Sequence, residues 1–436
     1  MASSQYGYKL NPHRRLRDPL GVKGIRQSVA ITNNPSTIDA NQQLLVRFPN
    51  LGAHDVIVPG TARLAFTISL TSTDANRTVV QNLGRAVVKK TTIKISGNEV
   101  MSIDDSDVYG CYNDLWKTSQ ERANAQYQGI DTSANQNVTK IRVAAGDKDS
   151  TVAADKAIAD AYGNRFYIPL DFELLESHMP FYQSALGDRL EYELTFNDYS
   201  RVIKATGDTT ASYTIENISL EYDMVTELEL ARMIRDQYTR RLAILYDRVL
   251  RHRKLTKNKS DTLWNINLNV PARSMKGILM LFEDPASDGA AWGRKTESFY
   301  NPKITKVEVT IEGVPNQLYS QGMRAYQQWD EAKKLFAASP NSKRNPNVAM
   351  VAKDLALADV SLGQFLTTKY SLWLDMRTTD DDQLHGSGRK IENASEGVTI
   401  QITKNAETAG KLNVYLYVIE DGQLNIEDGR FISALY

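Results

Sequence analysis

Histidine side chains are the first place to look for a metal site or an acid–base catalyst. The five histidines are scattered through the chain, and none stands at the His-x-x-x-His or His-Glu-x-x-His spacing that brings two imidazoles to one metal ion. The spacing therefore predicts no histidine metal site. The residues are His13, His54, His178, His252 and His385.

Two acidic runs offer a different chemistry. One holds Asp104, Asp105 and Asp107, and the other spans residues 380–382. Carboxylates so placed could bind calcium, or two of them could serve as the acid and base of a glycoside hydrolase. Neither run matches a calcium loop, and acidic turns between strands are common. Both readings stay open here, and neither is favoured.

Two glycine-containing segments resemble motifs of enzymes without matching them. Residues 289–296 have one residue too few between their glycines for a phosphate-binding loop, and an arginine precedes the lysine. Residues 386–388 lack the Gly-x-Ser-x-Gly order of a nucleophile elbow. Since the chain shows no catalytic constellation, we expect a protein that is not an enzyme and needs no cofactor.

Composition narrows the class further. A chain of 436 residues suggests two to four folding units. The 52 Lys and Arg residues balance 52 Asp and Glu residues, so the chain as a whole is not built to coat nucleic acid or an anionic membrane. The lone cysteine, Cys111, excludes an intramolecular disulfide. With no export or lipidation signal and no apolar run near the roughly 18 residues that span a bilayer, we expect a soluble protein.

Alternation of apolar and polar residues dominates the chain and predicts antiparallel strands with one buried face. The continuous apolar runs and crossover helices of a parallel sheet are missing. The clearest examples are residues 64–70, 190–196, 220–224, 264–270, 307–311 and 412–418.

Helical patterns are few and lie between the strand clusters. They cover residues 112–125, 323–338 and, more weakly, 348–358. Residues 147–161 are rich in Ala and Asp but have a weak apolar face, so a helix and a solvated loop are both possible there.

The two halves of the chain resemble each other. In each half an Ile-x-Gly turn is followed by a helical segment with Tyr, Trp and Lys: Tyr112 and Trp116 in the first, Tyr326 and Trp329 in the second. The turn glycines, Gly97 and Gly313, are 216 residues apart, about half of the chain. This order predicts a tandem duplication of an all-β unit.

Positive charge is concentrated in two places. Residues 232–259 contain ten Lys or Arg and only two acidic residues, and we expect a helix leading into a basic loop. Residues 9–26 are a second basic patch, whose prolines favour an extended arm. A basic segment of this kind is either a solvated connector or a surface facing nucleic acid.

Several ordered landmarks resemble the double-jelly-roll major capsid proteins of the adenovirus, polinton, virophage and large DNA virus lineage. They cover most of residues 40–436, and their order and spacing are more specific than any one of them. The sequence departs from the family pattern at Leu384 and at residues 420–422. The short chain is most like a polinton-like virus, adintovirus or virophage-like member. The landmarks are residues 167–172, 179–186, 190–196, 218–231, 268–271, 276–282, 299–304, 386–388, 393–395 and 424–431.

The resemblance implies an all-β fold of two tandem eight-stranded antiparallel jelly rolls with a few helical insertions. We expect an N-terminal arm (1–27), jelly roll 1 (28–231), a basic helical linker (232–262) and jelly roll 2 (263–436). The implied function is that of a capsid protein, made in the host cell and located in the virion. It would form a homotrimer, pseudo-hexagonal capsomers and an icosahedral shell around double-stranded DNA.

The implied partners are further copies of the chain, penton and minor capsid or cement proteins, and packaged DNA in non-specific contact. The alternative is a two-domain β-sandwich that binds or hydrolyses carbohydrate, for which the five tryptophans would supply stacking surfaces. The candidate residues for the capsomer base or a DNA-facing surface are Arg14, Arg15, Arg17, Arg240, Arg241, Arg251, Arg253 and Lys254.

Overall fold

The computed structural model describes most of the chain. The helix predicted at 348–358, the open segment 147–161 and the arginines Arg14, Arg15 and Arg17 lie outside the described residues. The described residues are 24–30, 36–72, 78–117, 119–130, 165–170, 182–204, 211–285, 295–316, 319, 321–336, 360–378, 388–392 and 397–436.

Strands dominate the first half of the described chain. They are β1 (Gly24–Ala30), β2 (Thr37–Asp39), β3 (Gln43–Arg47), β4 (Asp55–Ile57), β5 (Arg63–Thr71), β6 (Thr78–Val79), β7 (Val88–Ile95), β8 (Asn98–Asp104), β9 (Arg165–Pro169), β10 (Leu190–Phe196), β11 (Ile203–Lys204) and β12 (Ser212–Thr226).

The second half repeats this organisation. Its strands are β13 (Leu242–Asn258), β14 (Leu263–Leu268), β15 (Ala272–Glu283), β16 (Ile304–Ile311), β17 (Val314–Pro315), β18 (Met323–Arg324), β19 (Ser371–Asp375), β20 (Arg389–Ile391), β21 (Val398–Lys404), β22 (Lys411–Glu427) and β23 (Arg430–Leu435).

Short helices interrupt the strands. They are α1 (Leu83–Ala86), α2 (Ser106–Leu115), α3 (Ser119–Asn124), α4 (Tyr199–Val202), α5 (Leu228–Thr239), α6 (Ala325–Phe336) and α7 (Leu362–Thr367), with 3-10 turns at Gln126–Gln128 and Gln183–Ala185. Thus α6 confirms the helix predicted at 323–338. The helix predicted at 112–125 is instead two helices, α2 and α3, and α2 begins six residues earlier, at Ser106.

Strand order defines the fold. The first half has one sheet in the order β1-β12-β5-β9 and another in the order β3-β10-β7-β8. The second half has β13-β22-β15-β19 and β14-β21-β16-β17. In each half, eight strands in chain order pair first with last, second with seventh, third with sixth and fourth with fifth, which is the nesting of a jelly roll. The predicted double jelly roll is confirmed, and we call the halves roll 1 and roll 2.

The alternation seen in the sequence matches the burial of these strands. In β10, Leu190, Tyr192, Leu194 and Phe196 are buried, while the residues between them are partly exposed. Each buried side chain faces the core because successive residues of a strand point to opposite sides.

A tight turn recurs at the same place in both rolls. Ser96 and Gly97 join β7 to β8 with φ of 52° and 80°, and Glu312 and Gly313 join β16 to β17 with φ of 49° and 80°. Positive φ at both central positions is the conformation of a type I′ hairpin turn, which glycine adopts at little cost. The fourth and fifth of the eight nested strands are therefore joined by the same type of turn in both rolls.

The predicted basic loop is wrong. Residues 242–258 form β13, a 17-residue strand that pairs with β22 from Leu242–Ile426 to Asn258–Lys411. Ile244, Tyr246 and Val249 of β13 are buried, and their pattern was hidden by the many cations in this segment. This part of the predicted linker is therefore a strand of roll 2, and α5 alone is its helical part. At the other end, β1 begins inside the predicted arm.

Candidate functional site

The predicted basic residues fall into two groups. Arg240 and Arg241 are exposed directly after α5, and Arg253 and Lys254 are exposed on β13. Lys254 also lies over an aromatic ring, with its Nζ 4.9 Å from the ring centroid of Tyr415. These four cations are the described candidates that face solvent.

Arg251 belongs to a different environment. Its Nη1 lies 2.7 Å from Asp105 Oδ2 and its Nη2 lies 3.1 Å from Asp104 Oδ2. Burial raises the pKa of Asp105, the neighbouring Asp107 adds to that rise, and Arg251 opposes it. Because β13 is in roll 2 and both aspartates are in roll 1, Arg251 joins the two rolls rather than offering a free charge to a ligand.

The first acidic run thus has arginines as partners. Among the described residues, no group of three or more His, Cys, Asp or Glu side chains is placed to hold a metal ion. The second acidic run, at 380–382, lies outside the described residues. We find that Asp104 and Asp105 act in the contact between the rolls, which sequence reasoning missed because their partners are about 150 residues away.

Aromatic side chains form the centre of that contact. Trp116, at the end of α2, stacks on Trp329 of α6 with ring centroids 5.5 Å apart, and on Phe336 with centroids 5.3 Å apart. Tyr112 meets Phe336 and Phe299 edge to face at 5.1 and 4.8 Å. The helix that follows the hairpin turn of roll 1 therefore contacts its counterpart in roll 2. We call this contact the joint.

Hydrogen bonds fix the register of the joint. Tyr112 Oη lies 2.7 Å from Ser371 Oγ and 3.1 Å from the carbonyl oxygen of Lys369. Burial raises the pKa of Tyr112, so the hydroxyl stays protonated. On β22, Tyr417 donates to the carbonyl oxygen of Asp105 at 2.8 Å. Both tyrosines therefore form hydrogen bonds between the two rolls.

Carbohydrate stacking is not supported by the described tryptophans. Trp116, Trp264 and Trp373 are each 1% exposed, and Trp329 lies against Trp116. A sugar ring needs an open aromatic face, and these faces are covered by protein. Trp292 lies outside the described residues.

A small polar cleft lies where roll 1 meets the terminal hairpin of roll 2. It has a volume of about 280 Å³ and is lined by residues 48–51, 183–190 and Arg235. Arg235 donates to the carbonyl oxygens of Ala53 and Gly52 at 2.9 and 2.7 Å. Asp188, the acid of the cleft, accepts from the backbone N–H of Phe431 at 2.6 Å. With its arginine and carboxylate both held by backbone groups, the cleft has the character of a structural contact.

The helices of the described residues are too short and too polar to cross a bilayer.

Comparison with known proteins gives a match in structure alone. No family model and no curated protein matches the sequence. A chain of the PBCV-1 virus capsid superimposes with a TM-score of 0.59 at 13% identity, over 97% of this chain and 98% of that one. A chain of the Sputnik virophage gives 0.56 at 11% identity over 97% and 91%, and the Faustovirus major capsid protein gives 0.53 at 10% over 96% and 92%. The chain therefore has the double-jelly-roll fold of viral major capsid proteins.

Proposed function

We propose that the chain is a major capsid protein that trimerises into pseudo-hexagonal capsomers, which assemble into an icosahedral shell around double-stranded DNA. The observation that carries this proposal is the presence of two complete jelly rolls joined through a buried contact. The superposition on the PBCV-1 capsid chain extends over 97% of this chain and 98% of that one. Three copies would place six similar rolls around one axis, which gives a three-chain particle a hexagonal outline.

The physical properties of the chain suit assembly. A formal net charge of zero allows many copies to lie side by side without mutual repulsion. Assembly also needs large, mostly apolar contacts within a capsomer and smaller polar contacts between capsomers. In this proposal the chain has no catalytic role and is located in the virion, after synthesis and assembly inside the host cell. Its partners are other copies, penton proteins and minor capsid or cement proteins.

The exposed basic residues suggest which face of the capsomer is turned towards the packaged DNA. Arg240, Arg241, Arg253 and Lys254, with the arm residues Arg14, Arg15 and Arg17, would lie at the capsomer base and contact packaged DNA without sequence preference. Support comes from the exposure of the four described residues in a chain that is neutral overall. If replacing Arg14, Arg15 and Arg17 with Ala left shell assembly and DNA content unchanged, the arm would have no such role.

The first test is the mass of the purified protein in solution, together with negative-stain images. The proposal expects a stable species of three times 48.9 kDa and particles with a hexagonal outline. A compact monomer that gives no hexagonal particles, even when coexpressed with viral chaperones, would contradict it. A carbohydrate-dependent rise in melting temperature of such a monomer would favour the carbohydrate-binding alternative.

A further inference from the structure

Two aspartates of roll 2 lie opposite each other in neighbouring strands. Asp247 of β13 and Asp421 of β22 are direct partners in the register of the sheet, and their side chains are 19% and 3% exposed. Like charges placed directly across a strand pair destabilise it, and burial adds the cost of taking both carboxylates out of water. The pair therefore needs a cation beside it.

Lys276 of β15 is that cation. Its Nζ lies 2.5 Å from Asp247 Oδ1 and 3.1 Å from Asp421 Oδ1, and its side chain is 10% exposed. The residues on either side of Lys276 pair with β22, but the register shifts between them, so Lys276 is the extra residue of a β-bulge. Bulges redirect side chains. One amine is thereby held in contact with two carboxylates that belong to two other strands.

The two carboxylates differ in their surroundings. Asp421 is the more buried, and its second oxygen, Oδ2, accepts a hydrogen bond from the hydroxyl of Ser274 on β15. Asp247 is nearer to the amine and more exposed, so it can exchange protons with solvent. The carboxyl group of Asp421 is therefore fixed between an amine and a hydroxyl, whereas Asp247 is placed to accept a proton.

We propose that Lys276 and Asp421 condense to form an amide bond that joins β15 to β22 covalently, with Asp247 as the proton acceptor. Reacting groups that are held in contact reach effective concentrations of about 10⁵–10⁸ M. Burial also favours the product, because it penalises a charged ammonium and a carboxylate more than a neutral amide. The reaction is a dehydration and needs no oxidant or cofactor.

The protons and the leaving oxygen of this step balance. Burial would lower the pKa of Lys276, but the two aspartates more than offset this and raise it, so the amine starts as an ammonium. One ammonium proton passes to Asp247, and the neutral amine attacks Cγ of Asp421. As the C–O bond breaks, the leaving oxygen takes one proton from the nitrogen and one from Asp247 and departs as water. The third proton stays on the amide nitrogen, and Asp247 is again a carboxylate.

The bond would restrain roll 2 at a central strand. β22 pairs with β13 on one side and with β15 on the other, and most of roll 2 lies between Lys276 and Asp421 in the chain. A link that closes so long a loop reduces the freedom of the unfolded chain. The bond forms within one folded chain, whether or not copies assemble, so its absence would leave the capsid proposal standing.

Mass spectrometry of the purified full-length protein provides the first test. After incubation at pH 7, the intact chain should be lighter than its sequence mass by one water molecule. A tryptic digest should contain a branched peptide that joins Lys276 to Asp421, and cleavage after Lys276 should be lost because that side chain is no longer charged. A chain of full mass, or a water loss that maps to another pair of residues, would show that the cluster is an ion pair only.

Three variants separate the roles of the residues. Lys276→Arg keeps a cation in the cluster, but a guanidinium stays protonated and does not attack a carboxyl, so the water should be retained. Asp421→Asn should lose ammonia instead of water, since the amine would displace the amide nitrogen. The matched control is Lys94→Arg, at an ion pair with Glu193 whose side chains are 30% and 29% exposed, and it should lose water as the wild type does. A water loss that persists in Lys276→Arg or in Asp421→Asn would overturn the proposal.

Discussion

Arg201 of roll 1 links Asp107 of its own roll to Glu283 of roll 2. Its Nη2 lies 3.1 Å from Asp107 Oδ2 and 3.3 Å from Glu283 Oε1, and Tyr415 donates to Glu283 at 2.6 Å. Burial would lower the pKa of Arg201, but Asp107 and Glu283 more than offset this and raise it well above its usual value. A permanently charged arginine therefore lies between two buried carboxylates and joins the rolls beside the aromatic centre of the joint.

Removing this cation should destabilise the protein strongly. Arg201→Met leaves two carboxylates close together in a poorly solvated site, and breaking a buried pair in this way costs about 3–5 kcal/mol of unfolding free energy. Urea denaturation at pH 7 measures the loss.

The control is Lys94→Met, which removes the ion pair with Glu193 at 2.5 Å. These side chains are 30% and 29% exposed. Ion pairs at the surface contribute roughly 1 kcal/mol or less to the unfolding free energy. Equal losses in the two variants would show that the Arg201 bridge does not hold the rolls together.

The stacked tryptophans give a second prediction. Trp116→Ala removes a side chain that is 1% exposed and contacts both Trp329 and Phe336. The cavity left behind should reduce the unfolding free energy by about 3–5 kcal/mol. Leu263→Ala, at a residue 46% exposed, should change it by no more than about 0.5 kcal/mol. A small effect of Trp116→Ala in the same denaturation assay would mean that the joint contributes little to stability.

The environment of Asp114 predicts that the stability of the protein depends on pH. Its Oδ2 accepts from Asn82 and Arg85 at 3.0 and 3.2 Å, and Lys117 Nζ lies 2.7 Å from Oδ1. Burial alone would raise the pKa of Asp114, but Arg85 and Lys117 hold it well below its usual value of 3.8. A carboxyl with a lowered pKa in the folded state adds stability above its unfolded pKa, and that stability is lost as pH falls below it.

Asp114→Asn should therefore cost about 3–5 kcal/mol at pH 7, because Arg85 and Lys117 lose their buried counterion. The difference in unfolding free energy between the wild type and the variant should narrow by about 1.4 kcal/mol for each pH unit below about pH 4. Urea titrations at pH 7, 4 and 3 measure it. A difference that stays constant over this range would exclude the ionised carboxylate as its source.

The fold was accessible from the sequence because its signals are local. Alternation over residues 190–196 reports burial on one face of a strand, and the Gly97 and Gly313 turns report positive φ. Strand β13 was missed because arginines and lysines flank its apolar residues on both sides, and a segment so rich in cations looks solvated. These cations are at positions 240, 241, 248, 251, 253, 254 and 257. An edge strand tolerates these cations because one side of it is open.

The joint was beyond the reach of the sequence. Arg201 and Glu283 are 82 residues apart, and Arg251 and Asp105 are 146 apart, so no spacing rule connects them. The Tyr and Trp residues of α2 and α6 were visible as a repeat, but only the packed structure shows that they contact each other across the two rolls.

The two groups of basic candidates, the ion-paired Arg251 and the solvent-facing cations, should behave differently when they are mutated. Arg251→Ala breaks contacts with Asp104 and Asp105 and should lower the unfolding free energy by about 1.5–3 kcal/mol, the usual range for hydrogen bonds to charged groups. Arg253→Ala combined with Lys254→Ala removes exposed charges and should change stability by about 0.5 kcal/mol or less for each residue.

For binding of double-stranded DNA we expect the opposite: the Arg253 and Lys254 variant should have the larger effect, and Arg251→Ala the smaller one. Each phosphate contact that is lost reduces the slope of log K against log salt by about 0.9, so the Arg253 and Lys254 variant should show a shallower slope in fluorescence anisotropy titrations between 50 and 200 mM salt. Arg251→Ala should keep the wild-type slope because its guanidinium is already neutralised by two aspartates. A change of slope for Arg251→Ala, with none for the double variant, would place the nucleic-acid surface around Arg251 instead of around Arg253 and Lys254.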